Sequence, residues 1–335
     1  MLRLEKRDLA KYPFLKGAKT YVQNSDISID SLIRAQSGKG EDLLKLAAAR
    51  VKQALRPPSF DETNTEIKNP DDEIYAYAIA RLLASCMDDP SVLDKLARYE
   101  AGRAAYYLVR DDPAMVAYVA STVGIDIAAT DMSVKQYVEL APAMREPRWR
   151  LVNRDVICGR VRCTPDDYAL ILKERIRQVI RSQLPIPVPG PIAVRLRTYA
   201  DDVSRAYQEQ ILEQYGEVDE DSFPPCIRAI IAAVTEGTNI PHTARFALVA
   251  FLHTIGLDET AIVEVFTRAP DFDVSRTMYQ VEHISGSGGT EYTPPTCATM
   301  KTYGLCVNRD KYCEKTVHPL SYYKFRKNFS GKKKT

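Results

Sequence analysis

Cys226, Cys297, Cys306 and Cys313 stand with 70, 8 and 6 residues between them, so a fold that uses them together must return one remote segment to a C-terminal trio. Four thiolates are what an iron–sulfur cluster or a structural zinc requires. The spacing favours the cluster, because structural zinc usually draws its ligands from two close pairs and no pair among these four is Cys-x-x-Cys. Spacing by itself leaves cluster, zinc and ordinary buried thiols all open, since free cysteine is among the most buried residue types. Cys86, Cys158 and Cys163 lie in patterned apolar segments and are expected in the core.

A chain of 335 residues exceeds what one hydrophobic core usually fills, and two domains are expected. Its start, MLRLEKRDLAKYPF, lacks a charged region followed by an apolar one, and no run approaches the ~20 apolar residues of a membrane span. The expectation is a soluble, cytoplasmic chain with no membrane partner. In that compartment, seven cysteines argue against a disulfide framework. The net charge of +2 is unevenly spread: from Cys226 onward, 14 Lys and Arg face 10 Asp and Glu, while the preceding part is net acidic. From Lys315 to Thr335 there are seven basic residues and no acidic one, which points to phosphate-bearing partners or, for the final GKKKT, to a solubilising end.

The first half reads as successive helices. Leu43, Leu44, Ala47, Val51 and Leu55 share a face over 41–55, and Ile74, Tyr77, Ala78, Leu82 and Leu83 repeat the spacing over 73–87. Asp89-Pro90 and Asp112-Pro113 offer an Asp cap with Pro at the first helical position, predicting helices over 90–109 and 113–123. The pairs Asp88-Asp89 and Asp111-Asp112 therefore read as caps before they read as catalytic carboxylates. Trp149–Asn153 and Val156–Cys163 are β-branched runs punctuated by Gly159, consistent with short antiparallel pairing. Thr164-Pro165-Asp166-Asp167 then caps a helix to about Gln183, with Asp167 at the capping-box position. Pro185, Pro187, Pro189 and Pro191 are expected to be extended, before a helix over 192–214. The fold class is mostly α: a helical N-terminal body over 1–214 with a small α/β insert over 146–185, an acidic linker over 215–222, a mainly helical cysteine domain over 223–315, and a basic tail over 316–335.

Beyond the linker the chain reads FPPCIRAIIAAV, NIPHTARFALVAFLHTIGL, YQVEHISGSGGTEYTPPTC, then GLC and YC. This succession resembles the iron–sulfur domain of the large subunit of archaeal and eukaryotic DNA primase. YPFL at 12–15 and the β insert fit the archaeal form, extending the resemblance over the full length. It implies a 4Fe–4S cluster ligated by Cys226, Cys297, Cys306 and Cys313. It also implies a heterodimer with a separate small catalytic subunit that holds the polymerising carboxylates, leaving this chain a regulatory subunit of a nucleotidyltransferase complex with no catalytic residue of its own. The further partners implied are template DNA, the RNA primer and an initiating nucleoside triphosphate.

In the helix after Pro241, His242, Arg245, Val249 and His253 share a face. A helix N-terminus with a guanidinium one turn on is an anion site. The resemblance gives His242 and Arg245 contacts to a 5′ triphosphate and places Tyr279 near the template and nucleotide; His253, on the face of His242, and His283, four residues after Tyr279, are expected in the same nucleotide- and nucleic-acid-binding set. At Asn239 and Pro241 this chain departs from the eukaryotic pattern, which has basic residues there. The plainer readings are a capping-turn His242, an ion-paired surface Arg245 and a buried structural Tyr279. Gly286, Gly288 and Gly289 would let backbone approach a phosphate or strand. Asp271-x-Asp273 follows Ala269-Pro270 and reads as a solvated turn rather than a metal pair. Docking of the small subunit is expected near Trp149, Leu151 and Val152. Two other functions fit parts of the pattern: an iron–sulfur DNA repair or redox protein, for which no Gly-rich dinucleotide fingerprint follows a strand, and a zinc-stabilised nucleic-acid-binding module.

Overall fold

A computed structural model of the chain describes residues 3–35, 37–56, 65–144, 146–215, 217–267, 269–285 and 292–331. Gly286, Gly288, Gly289 and Lys332–Lys334 lie outside the described residues. The chain divides into two compact units, residues 1–204 and 205–335, with the division inside the helix Gly190–Tyr215. Among the described residues no helix is long and apolar enough to cross a membrane.

The first unit is built on four helices that share one device, a polar cap followed by proline. Asn69, Asp89, Asp112 and Thr164 cap Pro70–Cys86, Pro90–Leu108, Pro113–Thr122 and Pro165–Arg181, and each cap accepts a first-turn backbone N–H. Proline fits behind each cap because the N–H it lacks would have had no intrahelical partner. Lys39–Leu55 packs on Pro70–Cys86, and Pro90–Leu108 packs on Pro165–Arg181. Ala47, Ala54, Ala76 and Ala80 are fully buried and let the helices approach closely. A buried charge network crosses this core. Arg50 grips Glu100 with Nε (2.6 Å) and Nη2 (2.7 Å) and reaches Glu73 with Nη1 (2.6 Å), and Arg103 adds a 3.0 Å contact to Glu73. Two guanidinium groups thus balance two carboxylates away from water, the condition for keeping such charges buried.

The α/β insert begins earlier than its apolar runs suggest. Strands β1 (Asp131–Ser133), β2 (Val156–Ile157) and β3 (Arg160–Arg162) form an antiparallel sheet in the order β1-β3-β2. Met132 pairs with Val161 and both are buried. Cys158 and Gly159 join β2 to β3, both with positive φ (50° and 73°), the combination a two-residue hairpin turn demands. Cys158 is therefore an exposed turn residue and not a core thiol, while Cys163 is buried and Cys86 half-buried.

Trp149–Asn153 is not a strand. It folds as two 3-10 turns, Pro147–Trp149 and Leu151–Asn153, because Pro147 starts a turn that drives the Trp149 ring inward. The ring lies against Tyr137 (centroids 6.4 Å apart), whose hydroxyl donates to the Trp149 carbonyl at 2.9 Å. Trp149 is buried, Leu151 half-buried and Val152 exposed, so of the three residues expected at a docking surface only Val152 is fully presented. Pro185, Pro187 and Pro189 are non-helical, but Pro191 lies in the first turn of Gly190–Tyr215.

The second unit packs around Phe251, which meets Phe223 (5.5 Å) and Tyr323 (5.8 Å) edge to face. Each such buried aromatic contributes on the order of 2 kcal/mol from the apolar surface it removes from water. Tyr323 comes from the segment read as a basic tail. Residues Pro319–Gly331 form a helix with Tyr322 and Tyr323 buried, so this segment belongs to the unit and is not a free basic tail. The acidic stretch is likewise anchored, because Asp219 N–H donates to the Tyr323 hydroxyl at 3.0 Å and Lys327 bonds the Tyr215 carbonyl at 2.7 Å.

Candidate metal centre and nucleic-acid interface

Each of the four C-terminal cysteines is delivered by a local backbone device. Cys226 lies in the first turn of Pro225–Thr235, behind Pro224, and Cys297 is the first residue of Cys297–Thr302, whose cap Thr296 accepts from Thr299 N–H. Gly304, at φ 71°, ends that short helix; its N–H bonds Lys301 and Leu305 N–H returns to Met300, which reverses the chain toward Cys306. Asn308, also left-handed at φ 51°, turns the next segment, and Cys313 opens the 3-10 turn Cys313–Lys315.

The result is one cavity of about 460 Å³ lined by all four cysteines, with Lys301 and Arg309 on its wall. Burial, together with the nearby Cys297, Cys306 and Cys313, pushes the Cys226 thiol up to about 12. Burial also raises Cys297, a rise that Lys301 and Arg309 oppose, and it raises Cys313. Four clustered thiols of this kind become thiolates together when a multiply charged cationic centre replaces their protons. Among the described residues, no three His, Cys, Asp or Glu side chains converge as ligands of a single ion. What the thiols share is a cavity wall. The donor set, its two positive neighbours and the room between the thiols fit a tetrathiolate cluster of net negative charge.

Several supporting residues were not visible in the cysteine spacing. Asp310 accepts the Tyr312 and Cys313 backbone N–H groups, each at 3.0 Å, and the Tyr322 hydroxyl at 2.6 Å, tying the Cys313 segment to the C-terminal helix. His318 accepts Leu320 N–H at Nδ1 (3.2 Å), so its Nε2 carries the proton donated to the Pro294 carbonyl at 3.0 Å. Cys297 N–H is held by the Val317 carbonyl at 3.0 Å. No motif signals these partners because each is a single residue whose role comes from a contact remote in sequence.

His242 is exposed at the first position of His242–Thr254, and Arg245 follows one turn on. Arg245 is ion-paired: Nη2 meets Asp271 at 2.5 and 2.7 Å and Asn239 Oδ1 at 3.3 Å. The guanidinium holds the Asp271 carboxyl below its ordinary range. Asp273 accepts Arg276 N–H at 2.7 Å at the start of Val274–Ser285, so the two carboxylates of the Asp-x-Asp segment serve an ion pair and a turn. His253 lies in the last turn of the same helix as His242, about 16 Å along its axis, and is not brought to that end.

Tyr279 and His283 are both exposed on Val274–Ser285, a helix that packs on His242–Thr254. With Tyr279 exposed, its reading as a buried structural tyrosine does not hold. Ring centroids run Tyr279 to His283 at 6.4 Å, His283 to Tyr292 at 6.0 Å in a stacked arrangement, and Tyr292 to Phe246 at 5.4 Å edge to face. Tyr292 is a further member that the sequence pattern does not single out. Its partner Phe246 is the neighbour of Arg245, so an aromatic row links the exposed Tyr279 to the helix that carries the guanidinium.

These features define a helical protein with a four-thiol cavity and, in the same unit, a row of aromatic rings beside an ion-paired arginine. Residues 216–331 match the family described as the C-terminal domain of the eukaryotic and archaeal DNA primase large subunit. Over nearly its whole length the chain is similar to proteins named DNA primase large subunit PriL. It is 35% identical to that of Methanocella arvoryzae, covering 94% of this chain and 87% of the relative. It is 32% identical to those of Methanosarcina acetivorans (96% and 89% covered) and Halobacterium salinarum (95% and 92%). The chain belongs to the archaeal and eukaryotic DNA primase large-subunit family, and its role lies in DNA replication.

Proposed function

We infer that this chain is a noncatalytic primase subunit with two tasks. Its α/β insert docks the small catalytic subunit, and its C-terminal unit holds a 4Fe–4S cluster on Cys226, Cys297, Cys306 and Cys313 while capturing the initiating nucleotide and the template–primer. The observation that carries this reading is that four cysteines spread over 88 positions line one cavity, in the same compact unit as Arg245 and the aromatic row. When bound, the cluster would supply a covalent staple between the Pro225–Thr235 helix and the segment over 297–313.

His242 and Arg245 supply a helix N-terminus and a guanidinium for the 5′ triphosphate. Tyr279 and His283 offer exposed ring faces on which bases can stack. Holding the first triphosphate beside a nucleotide in the partner's site turns a two-body encounter into an effectively intramolecular one, and that requires no catalytic carboxylate in this chain. The name shared by the relatives supports the subunit role.

Reconstitution with the small subunit tests the capture role. Arg245→Ala is expected to lower the rate of initiation by about tenfold or more, the scale of a lost charge-assisted contact, while extension of a preformed primer lacking a 5′ triphosphate changes little. Equal loss in both reactions would remove triphosphate capture by Arg245.

A further inference from the structure

The Arg245 guanidinium is already in use. Its Nη2 lies 2.5 and 2.7 Å from the two oxygens of Asp271, so the site that is to hold a phosphate holds a carboxylate of the same chain. The Arg245 side chain is 13% exposed and that of Asp271 48%, so the anion is the solvent-facing, exchangeable partner. Both contacts to Asp271 come from the one nitrogen and not from the two-nitrogen fork that makes Arg–carboxylate pairs strongest. Arg245 is also supported independently of Asp271, by Asn239 Oδ1 at 3.3 Å and by the Ile240 carbonyl at 3.5 Å from Nε. The guanidinium therefore keeps its place when the carboxylate leaves.

We propose that Asp271 is an internal competitor for phosphate at Arg245: the carboxylate occupies the guanidinium in the free subunit and is exchanged for a phosphate of the incoming 5′ triphosphate. This rests on the triphosphate-capture reading of Arg245 above. The exchange is non-covalent and breaks one ion pair as it forms another. A phosphate must displace the same pair whichever molecule carries it, so Asp271 lowers affinity by one common factor and shortens the residence of what is bound. Capture is thereby kept reversible, as release of a primer 5′ end requires. Because only Phe272 and Asp273 separate Asp271 from Val274–Ser285, the exchange also loosens the anchor of the helix that carries Tyr279.

The test is equilibrium and stopped-flow binding to the full chain purified with its native metal content. The probes are ATP alone and an RNA–DNA duplex with a 5′ triphosphate on the RNA, which separates a free nucleotide from a primer end as the ligand. Asp271→Asn is expected to tighten both by roughly fivefold, the worth of a partly exposed ion pair, with the gain in slower dissociation. In an Arg245→Ala background the same change is expected to gain less than half of that. Unchanged or weaker binding by Asp271→Asn, in a chain where Arg245→Ala does weaken binding, would overturn the competitor role alone. An equal gain in both backgrounds would assign the effect to net charge and overturn it as well. If Arg245→Ala leaves binding unchanged, the capture reading itself fails.

Discussion

At the scale of single residues, the partner that a charged group finds in the fold decides what it can do. Arg245 reads from the sequence as a free anion ligand or an ion-paired surface residue; the second describes its state in the isolated chain, and the identity of its partner turns that state into a mechanism. Asp167 is a second case. Its carboxylate receives Arg154 Nη2 at 2.6 Å and Thr164 N–H at 3.0 Å, while the Thr164 hydroxyl accepts Asp167 N–H at 3.2 Å. Burial pushes the Asp167 carboxyl up, but Arg154 and Thr164 outweigh it and hold it below its ordinary range. A group with a depressed folded pKa contributes its full stability above the ordinary carboxylate range and loses it as pH falls from that range down through the lowered folded pKa. Arg154 also lies 5.7 Å from the ring of Trp149, the only tryptophan of the chain. Trp149 emission is therefore expected to report an acid transition of the insert. Asp167→Asn should destabilise the insert by about 1–3 kcal/mol at neutral pH and flatten that transition. An identical acid limb in wild type and Asp167→Asn would contradict the assignment.

At the scale of elements, the helices were legible because their ends are written in local chemistry. The Asp89-Pro90, Asp112-Pro113 and Thr164-Pro165 starts are set by neighbours in sequence, and the observed caps accept the N–H groups a reader would assign to them. The hairpin was legible as a pairing of Val156–Cys163 about Gly159. Strand β1 was not, since Asp131–Ser133 is three residues long and becomes a strand only through β3. Trp149–Asn153 has strand-like composition, yet burial of one large ring and a turn-starting proline outweigh that propensity. The correction narrows the surface proposed for docking. Val152 is 86% exposed and Ile157 60%, on the insert that Trp149 supports from within. Val152→Asp combined with Ile157→Asp is expected to weaken co-purification of the small subunit by at least about tenfold while leaving Trp149 emission unchanged. A complex of undiminished yield would remove the insert as the docking element.

At the scale of the whole molecule, the chain forms two compact units, and the second is closed by contacts that no short motif announces. The cysteines were legible as a set of four, but the cavity they line depends on Gly304, Asn308 and the Asp310–Tyr322 contact. Residues 316–331 escaped because Lys324, Arg326 and Lys327 gave the segment a basic composition that masks its buried anchors Tyr322 and Tyr323. The central claim is that the second unit is organised around a tetrathiolate cluster. The most direct measurement is iron, acid-labile sulfide and zinc per chain after anaerobic purification, for wild type and for single Cys→Ser variants. The account predicts about four irons and four sulfides, lost when Cys226, Cys297, Cys306 or Cys313 is replaced and retained when Cys86 is. One zinc per chain with no sulfide, in protein kept anaerobic throughout, would contradict it.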